Sequence, residues 1–92
     1  MISKRPCPHT GILNYFVTAD PMLAVGSITV RATSSHVDWR CYLDDAIAGT
    51  APDLPAADDA LRRAITLRCQ PLTLKCAHRR AARYYVGGRR AA

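Results

Sequence analysis

The stretch WRCYLDDAIAGTAPDLPAADDALRRAIT, residues 39–66, changes its hydrophobic rhythm halfway along. With the three residues before it, the first half reads HVDWRCYLD (36–44). Val37, Trp39, Cys41 and Leu43 share one parity; His36, Asp38, Arg40, Tyr42 and Asp44 share the other. Successive side chains of a strand point to opposite faces, so this pattern predicts a strand with one face on a core and one toward water. After Asp53 the apolar residues recur every third or fourth position, at Leu54, Ala57, Leu61, Ala64 and Ile65. That spacing predicts an amphipathic helix over about 54–67. Asp53 is a good N-cap, and Pro55 fits the first turn, where a missing N–H costs nothing. Asp58–Arg62 and Asp59–Arg63 are i,i+4 pairs with the acid first, each contributing about 0.2–0.5 kcal/mol to the helix. Pro71 lies just beyond the expected end near Arg68.

Outward from this core, DDA (44–46) reads as a hairpin turn and AIAGT (46–50) as a short edge strand. LAVGSITVRA (23–32) alternates loosely, with Ala24, Gly26, Ile28 and Val30 on one face and Ser27, Thr29 and Arg31 on the other. ILNYFV (12–17) is apolar on both parities, as a strand covered on both sides would be. TADP (18–21) and TSS (33–35) supply turns. Leu23 and Val25 fall on the outward parity, so that side of the sheet is expected to need a cover, from the C-terminal segment or from a second copy of the chain.

The expected fold class is therefore α+β: a small antiparallel sheet of three to four strands, one amphipathic helix packed on one face, and a basic C-terminal extension. Residues 1–11, with Pro6, Pro8 and Gly11, read as an irregular arm; 12–68 form the α+β domain; 69–92 form the extension. Within the extension, QPLTLK (70–75) reads as extended, CAHRRAARYY (76–85) as a short helix and GGRRAA (87–92) as a frayed end.

Composition bounds the function classes. Ninety-two residues, 49% hydrophobic and 22% charged, make one globular domain rather than a disordered chain. No apolar run approaches the roughly 20 residues that span a bilayer, so no membrane contact is expected. The N-terminal MISKRPCPHTG lacks the apolar segment of about 7–15 residues that a secretory signal needs. The reading is a cytoplasmic protein, in which the four cysteines stay reduced.

The net charge of +6 is unevenly spread. Residues 44–61 hold five aspartates and no base, whereas residues 62–92 hold eight arginines and Lys75 with no acid. A segment with nine positive charges predicts a polyanion partner. The candidate nucleic-acid-binding residues are Lys75, Arg79, Arg80, Arg83, Tyr84, Tyr85, Arg89 and Arg90. Their guanidinium and ammonium groups suit phosphates, and the tyrosine faces suit unpaired bases. The alternative is a protein–protein or self-association module, such as a homodimer, whose arginines only keep it in solution. Eleven arginines against two lysines, with no glutamate at all, fit a coding bias as well as they fit selection for binding.

The strand–turn–helix order over residues 23–68 resembles, by topology alone, the three-strand-plus-helix modules of AP2-type and integrase arm-type DNA-binding domains. The resemblance would imply DNA contact through the open sheet face. That face offers Arg31, Arg40 and His36 but also Asp38 and Asp44, so no residue role carries over.

No cofactor is expected. Two Cys-x-His pairs, Cys7 with His9 and Cys76 with His78, are the alternative zinc set, although structural zinc sites usually space paired ligands by two or more residues. Catalysis is not expected either. His36 and Asp38 share a strand face, but no motif ties a nucleophile to them, and Gly87-Gly88 precedes no Lys-Ser/Thr of a phosphate loop.

Overall fold

The computed structural model describes residues 2–7, 12–17, 24–30, 35–43 and 47–91, with side chains as far as residue 82. Strands β1 (Ile2–Pro6), β2 (Leu13–Val17), β3 (Gly26–Val30), β4 (Val37–Cys41) and β5 (Ile47–Ala51) are followed by helices α1 (Leu54–Arg68) and α2 (Leu74–Ala91). The strands form a single antiparallel meander in the order β1-β2-β3-β4-β5, an α+β fold with one strand more than the largest number expected from sequence.

The register sorts the side chains onto two faces. Tyr15 pairs with Gly26, Gly26 with Cys41, Ile28 with Trp39, and Trp39 with Gly49. Directly opposed residues share a face, so Tyr15, Gly26, Ile28, Trp39 and Cys41 line one side. This side receives α1, whose Ala57, Leu61 and Ile65 are buried. Tyr15, Val17, Ile28, Val37, Cys41 and Leu43 join them in one core cluster, with Trp39 half-buried against it. Burying Leu61 and Ile65 stabilises the fold by roughly 1.5–3 kcal/mol each.

Two glycines allow this close packing. A Cβ at Gly26 would sit 2.8 Å from Leu61 Cδ1 and 2.9 Å from the Arg40 carbonyl oxygen, so α1 approaches β3 only because Gly26 has no side chain. At Gly49 a Cβ would sit 2.6 Å from Trp39 Cζ2, so the indole lies flat across β5.

Helix α1 begins as its sequence predicts. Asp53 is the N-cap, its Oδ1 accepting the Ala56 N–H at 2.9 Å. Its C-terminus is capped by the Cys69 N–H donating to the Ile65 carbonyl at 2.9 Å.

Three expectations are corrected. The N-terminal arm is not irregular over residues 2–6: it is β1, paired along its whole length from Ile2↔Val17 to Pro6↔Leu13. Pro6 is tolerated because it ends an edge strand, where its missing N–H breaks no ladder. The stretch 70–75 contributes no strand; the linker passes through a cis Gln70–Pro71 bond and α2 begins at Leu74. The short helix expected over 76–85 runs on through Gly87 and Gly88 to Ala91.

The outward parity of residue 25 also misleads. Val25 is buried in the core cluster, its N–H bonded to the Tyr15 carbonyl and its carbonyl accepting from the Tyr42 N–H, both at 2.8 Å. Leu23 lies outside the described residues.

Candidate nucleic-acid interface

The basic extension is built on α2, and its first turn explains how that helix is set. Thr73 precedes it and caps it: the Cys76 N–H donates to Thr73 Oγ1 at 3.2 Å, and the Ala77 N–H donates to the Thr73 carbonyl at 3.0 Å. Cys76, Ala77 and Ala81 are buried in the same core cluster as the sheet and α1. Small residues on this side let the helix lie close, and they fix which side faces out.

Lys75, His78, Arg79 and Ala82 are exposed. In a helix, side chains three or four residues apart are neighbours and those two apart are not. Lys75 and Arg79 therefore form an outward row with His78 beside them. Position 83 of the helix backbone continues the row at the same four-residue spacing. The side chains of Arg83, Tyr84, Tyr85, Arg89 and Arg90 lie outside the described residues.

Arg80 differs from its neighbours. It is half-buried, with its Nε buried, and stands one turn on from Cys76, whose thiol pKa it lowers. Its side chain is thus more buried than those of Lys75 and Arg79 in the outward row. The sequence grouped it with the surface arginines because the Arg79-Arg80 pair hides which one the helix turns inward.

The open face of the sheet is a second surface. A hollow of about 550 Å³ lies over it, lined by Ser27, Thr29, Asp38, Arg40, Tyr42 and Thr50 among others. Ser27 Oγ and Tyr42 OH are 2.6 Å apart across it. Its chemistry is hydroxyl-rich and its charges, Arg40 and Asp38, oppose one another, so it lacks the single sign that phosphate recognition demands. Arg31 and Asp44 lie outside the described residues. His36 is exposed at the edge of this face, with Nδ1 3.0 Å from Ser35 Oγ.

A polar cluster that sequence reading missed joins α1 to the first two strands. The fully buried Tyr15 donates its hydroxyl to Asp58 Oδ1. Arg62 Nε donates to both Asp58 oxygens, at 3.1 and 2.9 Å, and Lys4 Nζ lies 3.5 Å from Oδ1. The Arg62 guanidinium also sits over the Tyr15 ring, 5.8 Å from its centroid. Burial and then the hydrogen bond to the Asp58 carboxylate hold the Tyr15 hydroxyl well above its ordinary pKa. Burial alone would raise the Asp58 carboxyl, but the hydrogen bonds from Tyr15 and Arg62 outweigh it and hold its pKa below the usual value. These groups bond one another and clamp α1 to the first two strands.

Of the alternative zinc set, the two members on α2 do not share a side. Cys76 is buried and His78 exposed, two residues apart on a helix and so on different sides. Cys7 follows β1 half-buried, and His9 lies outside the described residues. Among the described residues no three His, Cys, Asp or Glu side chains converge as a metal site. No described helix is long and apolar enough to cross a membrane.

No family model, curated protein or solved structure matches this chain, so the reading of its function rests on the geometry just described.

Proposed function

We propose that the chain is a non-enzymatic binding module that contacts nucleic acid through the outward side of α2. The observation that carries this reading is the division of that helix. Cys76, Ala77 and Ala81 seal one side into the core, which leaves Lys75, His78 and Arg79 exposed on the other. The segment from residue 62 onward has no acid to neutralise them. A rigid helix that presents cations at one-turn intervals suits a phosphate backbone, and each phosphate neutralised releases counterions.

The test is a titration of mixed-sequence DNA and RNA oligonucleotides at two salt concentrations. Binding is expected at low salt and should weaken as salt rises, with a log–log slope of about −2 or steeper if Lys75 and Arg79 each meet a phosphate. Failure to bind at low salt, or an affinity indifferent to salt, rejects the reading. The competing reading is self-association, favoured by Leu67, which is 74% exposed on the outer side of α1. A chain that sediments as a dimer and ignores oligonucleotides would put that reading in its place.

A further inference from the structure

Four cysteines are present, all as thiols, and two of them, Cys69 and Cys76, flank the linker from α1 to α2. Cys69 caps α1 and is fully buried; Cys76 stands in the first turn of α2 and is 5% exposed. The Cys69 thiol turns into the linker, with Sγ 3.7 Å from the Pro71 carbonyl and 3.8 Å from the Thr73 carbonyl. Thr73 is also the residue that starts α2, its hydroxyl oxygen accepting the Cys76 N–H at 3.2 Å. Both cysteines are thus gathered around one residue, Cys69 through its thiol and Cys76 through its backbone N–H, and each thiol shifts the pKa of the other. Cys41, by contrast, lies on β4 and Cys7 after β1.

We propose that Cys69 and Cys76 are a modification site: a dithiol pair that closes to a disulfide with a peroxide as oxidant and staples the start of α2 to the end of α1. The two sulfurs have different parts. Cys76 is the nucleophile. Its thiol pKa is lowered by Cys69, against the effect of burial, and further by Arg80 and Arg79. The first turn of a helix, with its partial positive charge, also favours a thiolate. Cys69 is the resolving thiol; burial, reinforced by Cys76, pushes it up to about 11.

The chemistry balances with peroxide alone. The Cys76 thiolate attacks one peroxide oxygen, an S–O bond forms, the O–O bond breaks and hydroxide leaves to become water. The resulting sulfenic acid lies beside Cys69. The Cys69 sulfur attacks the Cys76 sulfur, the S–O bond breaks, and the departing hydroxyl leaves as water with the Cys69 proton. Two thiols are oxidised by two electrons and one peroxide is reduced to two waters. Closure of this pair does not depend on nucleic-acid binding.

The sequence offers a clean readout. Trypsin cuts after Arg68, Lys75 and Arg79, which places the two cysteines in the separate peptides CQPLTLK and CAHR. The folded chain is treated with equimolar hydrogen peroxide, remaining thiols are alkylated, and the digest is mapped without reductant. The expected result is CQPLTLK joined to CAHR, with Cys7 and Cys41 alkylated, and reversal by dithiothreitol. In Cys69→Ser, oxidation should stop at a sulfenic acid on Cys76 that dimedone captures. If that variant does not fold, the wild-type map alone decides. Alkylated Cys69 and Cys76 beside an oxidised Cys7, or a bridge to Cys41 instead, would overturn the proposal.

Discussion

Replacing Leu61 by alanine is expected to destabilise the fold by about 2–5 kcal/mol, the range for truncating a leucine in a core that does not collapse around the gap. Leu61 is fully buried at the centre of the α1 stripe. The residue beneath it is Gly26, whose missing side chain is what lets Leu61 approach β3 so closely. With no side chain there to move into the space, and with β3 held between β2 and β4, relaxation has little room. Leu67→Ala is the matched control. Leu67 is 74% exposed on the same helix, and its truncation should stay within about 0.5 kcal/mol. Urea unfolding of both variants with unchanged m values is the measurement. Equal losses would mean that α1 does not pack as described.

The second large effect belongs to Asp58. Its removal as Asp58→Ala leaves the buried Tyr15 hydroxyl without its acceptor and Arg62 and Lys4 without their common partner. A cost of about 1–3 kcal/mol is expected, set mainly by the stranded hydroxyl. Tyr15→Phe removes donor and desolvation cost together, so it should cost less than Asp58→Ala.

The same cluster predicts the pH dependence. The Asp58 pKa is depressed in the folded chain, so its contribution is present above the ordinary carboxylate pKa and lost as pH falls through the folded value. The Tyr15 pKa is raised, so its contribution holds below about 10, the unfolded value, and declines as pH rises above it. Because each group shifts the other, Tyr15→Phe should remove the Tyr15 share of the alkaline decline and shrink the acid decline, and Asp58→Ala should remove the Asp58 share of the acid decline and shrink the alkaline one. Thermal unfolding from pH 2 to 11 reads both limbs.

Residues 36–68 made the central layer legible because two periods, two and 3.6, stand side by side there and each names a face. Asp53 and Pro55 marked the helix start in the same way, and the exposed Asp59–Arg63 pair its outer side. The Tyr15–Asp58 contact had no such signature. It spans 43 residues, and ILNYFV, apolar on both parities, does not say which side of the strand meets the helix. Only the register of β2 against β3 places Tyr15 under α1. The first strand was hidden by Pro6 and the basic pair Lys4-Arg5, which resemble a solvated arm until an edge partner exists. On α2, Thr73 three residues before Cys76 is an N-cap signal that could have moved the helix start to Leu74. The inward turn of Arg80 was legible only from its four-residue spacing to Cys76.

On the proposed function, α2 has two separable sides, one completing the core and one meeting phosphates. A single comparison addresses it: oligonucleotide titration of wild type against the double variant Lys75→Glu with Arg79→Glu, with urea unfolding run on the same samples. Both side chains are exposed, so unfolding should move by no more than about 0.5 kcal/mol. Affinity at low salt should fall roughly tenfold or more, and the salt slope should flatten by about 2. An unaltered affinity in a folded double variant, or a loss of binding matched by a loss of folding, would contradict the account.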